Sequence, residues 1–175
     1  MSTKKKMLTA IFRDRVSTER AFDWLQERGY DSGEISVLMS AHTRKGYHDH
    51  GTEGRIKTGS HAAEGVAAGG AVGTVVGATV GAILALGTTI VVPGLGWIVA
   101  GPIFAALAGG GAGAVTGGAV GGLVGLGIPE SNAAAYEEAL KKGGVVFGVH
   151  PHSNDDAKAI RAYFEEQKAD NIVCT

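Results

Sequence analysis

Apolar and polar positions alternate in three distinct ways along this chain. Met7–Phe12 is a short apolar run of strand-forming residues, and it predicts a first strand. Ser17 or Thr18 then caps a helix over Glu19–Arg28, whose buried stripe is Ala21, Phe22 and Leu25. Gly29 ends that helix in the position where glycine takes a left-handed conformation cheaply. The turn Asp31-Ser32-Gly33 introduces a second strand, Ile35–Met39. Residues 40–60 have no apolar period and read as a polar loop.

The C-terminal part repeats the first pattern. Pro129 stands in a first-turn position before a helix over Glu130–Lys142, with Ala133, Tyr136 and Leu140 on one face and Gly143 as its stop. Val145–His150 reads as a strand. Ser153 or Asn154 caps a helix over Asp155–Gln167 with the core stripe Ala157, Ile160 and Phe164. Asn171–Cys174 is the last strand, with Cys174 as a small apolar residue within it. Each half is a β-α-β crossover that pairs parallel strands. Together they predict an α+β fold, a ferredoxin-like sandwich of four antiparallel strands with two helices on one face and Glu130–Lys142 as an extra helix.

Between the halves lies a different pattern. Residues 65–129 contain no Asp, Glu, Lys or Arg. Glycines recur every fourth residue at Gly65, Gly69, Gly73, Gly77 and Gly81, and again at Gly109, Gly113, Gly117, Gly121 and Gly125. On a helix that spacing leaves a side-chain-free groove that a partner backbone can approach. The expected element is a helical hairpin over residues 61–128, with arms Ala62–Val92 and Pro102–Leu126. Its connection is marked by Pro93, Gly94, Gly96 and Pro102. The chain divides accordingly into 1–40, the first half of the sandwich; 41–60, the polar loop; 61–128, the glycine-zipper hairpin; and 129–175, the extra helix and second half.

Composition sharpens the meaning of the hairpin. The 175 residues include 29 glycines but only 4 prolines, with no G-X-Y period, which excludes collagen. Glycine costs up to about 1 kcal/mol per helix position relative to alanine. Two such helices therefore require close packing or hydrocarbon around them. Each arm exceeds the roughly 20 residues of a membrane span. All Lys and Arg lie on the side of the two termini, and Trp97 suits a headgroup interface. The leading expectation is a membrane-inserted, self-assembling protein with both termini in the cytoplasm. The alternative is a soluble cytoplasmic homo-oligomer whose hairpins pack into an apolar core. The start, with Lys4–Lys6 before a short apolar run, lacks a cleavage site and predicts no exported leader.

Candidate chemistry is sparse. The formal net charge is -1, which gives no electrostatic case for nucleic acid. Cys174 is the one cysteine, so no intramolecular disulfide forms. His48, His50, His150 and His152 form two His-x-His pairs, which in extended segments place both rings on one face. No cysteine or spaced carboxylate completes a tetrahedral set, so they stand as weak metal candidates for a third reading, a metal-binding module. No Walker motif, nucleotide fingerprint or catalytic triad is present. The chain is expected to be non-enzymatic, with no cofactor and with itself and a lipid membrane as partners.

The layout resembles the bacterial general stress protein family, whose members are often labelled heat-induced or low-temperature-induced. The residues that carry the resemblance are MLTAIFRDRVSTERAFDWLQERGYDSGEISVL, the central glycine series, and GIPESNAAAYEEALKKGGVVFGVHPHSNDDAKAIRAYFEEQKADNIV. The resemblance implies a stress-associated, non-enzymatic protein and carries over no catalytic residues. The His-rich loop is outside the resemblance.

Overall fold

The first helix begins earlier than its hydroxyl residues suggest, because Asp14 caps it. A computed structural model describes residues 6–31, 33–45, 90–92, 94–108 and 114–175. Strand β1 is Leu8–Phe12 and helix α1 is Arg15–Glu27. The Asp14 carboxylate accepts from Ser17 N at 2.8 Å, and this hydrogen bond holds its carboxyl below the usual carboxylate range. Thr18 is buried instead of capping, and its hydroxyl donates to Asp14 O at 2.6 Å. Gly29 takes φ +86° just past the helix end.

Strand β2 is Ile35–Ser40, β3 is Ile90–Val92 and β4 is Trp97–Ala100. Helices α2 (Pro102–Ala108), α3 (Ala114–Gly125) and α4 (Glu130–Lys141) follow. Strand β5 (Val145–Val149), helix α5 (Asn154–Glu166) and strand β6 (Asp170–Cys174) complete the described chain. Ser153 caps α5, its hydroxyl accepting from Asp156 N at 3.0 Å.

The six strands form one sheet in the order β3-β4-β2-β5-β1-β6, and every pairing is antiparallel. The two crossover units therefore do not pair their own strands. β5 inserts between β1 and β2, with Ile11 opposite Val146 and Leu38 opposite Val146 on its other side. β1 in turn lies between β5 and β6.

Both faces of the sheet are covered, so β1 and β5 are buried at every position and are mostly apolar. Leu8, Ala10, Phe12, Val37, Val145 and Phe147 face α1 and α5, meeting Phe22, Leu25, Ile160 and Phe164. Phe12 sits edge-on to Phe147 and to Phe164, with centroids 5.2 and 5.1 Å apart. Edge-to-face pairs contribute about 0.5–1.5 kcal/mol each beyond their burial. Ile11, Leu38, Val99 and Val146 face the other way, toward Phe104 of α2, Leu123 of α3, and Tyr136 and Leu140 of α4. The α+β class expected from the sequence is what the chain adopts, as a three-layer arrangement.

The expected hairpin of two continuous helices is not present in the described residues. Ile90–Val92, placed at the end of the first arm, is a strand, as suits a run of β-branched residues. It turns through Gly94 and Gly96, both at positive φ, and pairs with β4, Val92 opposite Trp97. Trp97 is buried in the core, not at a membrane interface. In the second arm, α2 and α3 are separate elements, and Gly118 within α3 is non-helical at φ 61°, ψ −147°. No described helix is long and apolar enough to cross a membrane. That overturns the membrane-inserting hairpin, and with it the transmembrane placement with cytoplasmic termini. Residues 46–89, which hold most of the first arm and of the polar loop, lie outside the described residues.

Candidate self-association surface

No side chain from Ile90 to Ile128 carries a titratable group. In the fold this stretch supplies one edge of the sheet and part of one helical layer. Among the described residues β3 is an edge strand, paired on one side with β4. Val92 points into the core beside Trp97. Ile90 and Val91 are 44% and 57% exposed, an unusual degree for edge-strand aliphatics without a charged neighbour in sequence.

Helix α3 adds a second uncharged surface. Ala119 and Leu123 are buried against the core, and Leu123 shares it with Tyr136 and Leu140 of α4. On its other side Gly117, Gly118, Val124 and Gly125 are exposed, and Gly121 is half-buried. A Cβ at Gly117 would meet nothing within 4 Å. Of the glycine series, then, Gly117, Gly121 and Gly125 fall on α3. Gly65, Gly69, Gly73, Gly77, Gly81, Gly109 and Gly113 lie outside the described residues.

The histidine candidates divide the same way. His48 and His50 lie outside the described residues. His150 Nδ1 donates to Lys6 O at 3.0 Å. His152 Nε2 donates to Glu34 Oε1 at 2.8 Å, and its ring stacks on Tyr30 at 4.2 Å between centroids. The His152 main-chain N–H also donates to the Tyr30 hydroxyl at 3.1 Å. These contacts tie the loop after β5 to the turn before β2. Burial raises the Tyr30 hydroxyl above the ordinary tyrosine range, so it remains a neutral acceptor there. Among the described residues no group of three His, Cys, Asp or Glu side chains converges on a metal position.

Two features escaped the sequence reading. The exposed β3 edge was hidden because Ile90–Val92 continues an apolar run that also fits a helix arm; the Pro93-Gly94 break after a β-branched triplet was the available signal. Cys174, expected as a small apolar residue of the last strand, is exposed near the end of β6, an edge strand among the described residues.

No protein-family model, no curated protein and no solved structure matches this chain. The resemblance to general stress proteins gains no support from these comparisons, nor does an assignment to stress response.

Proposed function

We propose that this chain is a non-enzymatic, self-assembling protein whose copies meet through the β3 edge and the exposed face of α3. The observation that carries the reading is the exposure of Ile90 and Val91 on an edge strand in a stretch without a single charge. An edge strand offers a row of N–H and C=O groups to another strand, and proteins that stay apart usually interrupt that row with lysine or an inward charge. A second copy supplies a matching, equally uncharged edge. Antiparallel β3–β3 pairing about a two-fold axis closes the assembly, with each copy giving and receiving the same contacts. The exposed glycines on α3 allow close approach of another backbone along that helix.

The ferredoxin-like reading of the frame belongs to the same proposal. It is supported by the antiparallel order β2-β5-β1-β6 with α1 and α5 on one face. On that reading β3, β4, α2 and α3 are an insertion that widens the sheet and creates the associating edge.

The experiment is the mass of the full chain purified without detergent, measured by light scattering and sedimentation. The expected result is a discrete multimer for the natural chain and a smaller species for V91K with an unchanged circular dichroism spectrum. A monomeric natural chain at micromolar concentration overturns the proposal, as does a V91K multimer of unaltered mass.

A further inference from the structure

At the edge of the sheet opposite β3, a cleft of about 330 Å³ opens between the start of β1, the end of β6 and the first half of α5. Its wall includes Lys6, Lys158 and Arg161, together with Asn154, Ala157 and Cys174, and among the described residues no carboxylate lines it. The arrangement follows from the helix repeat. Asn154, Ala157, Lys158 and Arg161 are spaced i, i+3, i+4, i+7, so they form one stripe along α5. Lys6 joins the stripe from the segment just before β1, its Nζ donating to Asn154 Oδ1 at 2.6 Å. That partner is neutral, so the ammonium charge is oriented without being cancelled.

The nearby acids leave the cations largely uncompensated. Lys158 Nζ donates to Asp155 Oδ1 at 3.1 Å, but these side chains are 80% and 92% exposed, where water screens the pair. Arg161 NH1 lies 3.9 Å from Glu165 Oε1, at the outer limit of an ion pair. Arg161 NH2 donates to Ile172 O at 3.4 Å, which holds the guanidinium against β6. A planar guanidinium with two ammonium groups around one opening is a donor set for a phosphate, which accepts through several oxygens at once. The volume sits near the lower end of small-molecule sites and exceeds what inorganic phosphate alone fills.

We propose that this cleft binds a small phosphate-bearing molecule, with Lys6, Lys158 and Arg161 holding the phosphate and the Ala157 side of the cleft receiving its carbon skeleton. The site is independent of self-assembly, since it stands at the other edge of the sheet.

Cys174 makes the proposal measurable in the full chain, because its exposed thiol lies in the cleft wall. The thiol is modified with a neutral reagent, dithiodipyridine, in the presence of inorganic phosphate, pyrophosphate or phenyl phosphate. The expected result is protection of Cys174 in the order phenyl phosphate over inorganic phosphate, half-complete at about millimolar concentration for a few charge-assisted contacts. K158Q and R161Q, both substitutions at exposed positions, should weaken protection by about 10-fold, with protection expressed relative to each variant's own rate in the absence of anion. Sodium chloride at equal ionic strength serves as the control for screening. Absence of protection by all three anions overturns the proposal. So does equal protection in both variants, or protection matched by sodium chloride.

Discussion

Thr9 Oγ1 lies 2.9 Å from Tyr136 Oη, joining β1 to α4 in the buried layer between sheet and helix. The direction of this bond is fixed by a second one. The Tyr136 hydroxyl donates to Asn171 O at 2.7 Å, so it accepts from Thr9. Three separate segments of the chain thus meet at one phenol. Thr9 is a polar residue on an otherwise apolar strand, and it is tolerated because this bond satisfies it. Replacing Tyr136 by phenylalanine keeps the ring but strands the Thr9 hydroxyl and the Asn171 carbonyl. The expected cost is about 1–3 kcal/mol. Urea unfolding measures it, and Y136F combined with Thr9→Val should recover part of the loss, because both partners are then apolar.

The same phenol makes stability fall at alkaline pH. Burial pushes Tyr136 up from 10.0 to about 12, with the Thr9 hydrogen bond a smaller, opposing influence. The folded chain therefore keeps a proton that the unfolded chain releases. Stability from this group is complete below pH about 10 and is lost as pH rises toward 12, amounting to roughly 2–3 kcal/mol. Tyr30 and Tyr163 are also raised by burial, so the comparison needed is with Y136F, which retains both. The difference in unfolding free energy between the two chains should shrink across that interval. A difference that stays constant with pH would show that Tyr136 is not shielded as described.

Much of this frame was legible in the sequence for simple reasons. Ala21, Phe22 and Leu25, like Ile160 and Phe164, follow the helix repeat and are buried where that repeat puts them. Ala133, Tyr136 and Leu140 do the same on α4. The neighbours of each strand were harder to read, because pairing depends on which strand inserts between β1 and β2, and β5 does so from more than a hundred residues away. Residues 90–125 were misread because absence of charge fits a lipid-facing helix and a doubly covered sheet equally well. The deciding features there are local and conformational: positive φ at Gly94, Gly96, Gly101 and Gly118 interrupts any continuous helix. A spacing of four glycines gives no sign of which one departs from helical geometry. The cleft beside Cys174 was invisible for another reason, since Lys6 and Lys158 approach each other only through the fold.

Gly101 shows how tightly β4 and α2 are joined to β2. It sits at φ +91° between β4 and α2, and a Cβ there would lie 2.4 Å from Ile35 O and 2.6 Å from Ser36 Oγ. That Ser36 hydroxyl accepts from Ile103 N at 2.9 Å, satisfying a main-chain donor in the first turn of α2. A residue of β2 therefore caps helix α2. Gly101→Ala should cost about 3 kcal/mol, combining left-handed strain with a clash against main chain that cannot move aside. Ser36→Ala should cost about 1–3 kcal/mol by leaving the Ile103 N–H buried and unpaired. Thermal unfolding followed by circular dichroism distinguishes them from Gly94→Ala, where strain acts without a clash.

Two adjacent glycines of α3 should respond in opposite directions. Gly118 is held at φ 61°, ψ −147°, a region that side-chain-bearing residues essentially avoid, so Gly118→Ala should destabilise the fold by about 1–3 kcal/mol. Gly117 has no positive φ, is exposed and has open space around its Cβ position. Gly117→Ala should leave the folded chain unstrained and stabilise it by about 0.4–1 kcal/mol through the unfolded state. Gly117→Leu places a larger side chain at the same exposed position, and its unfolding midpoint shows whether one copy tolerates it. If copies approach each other along the α3 face, however, that leucine occupies the space a partner backbone needs. The pair of measurements is decisive together: a Gly117→Leu chain with a normal unfolding midpoint and a reduced assembled mass places the glycine at a contact between copies. Normal stability with unchanged mass would remove α3 from the association surface and leave the β3 edge to carry it alone.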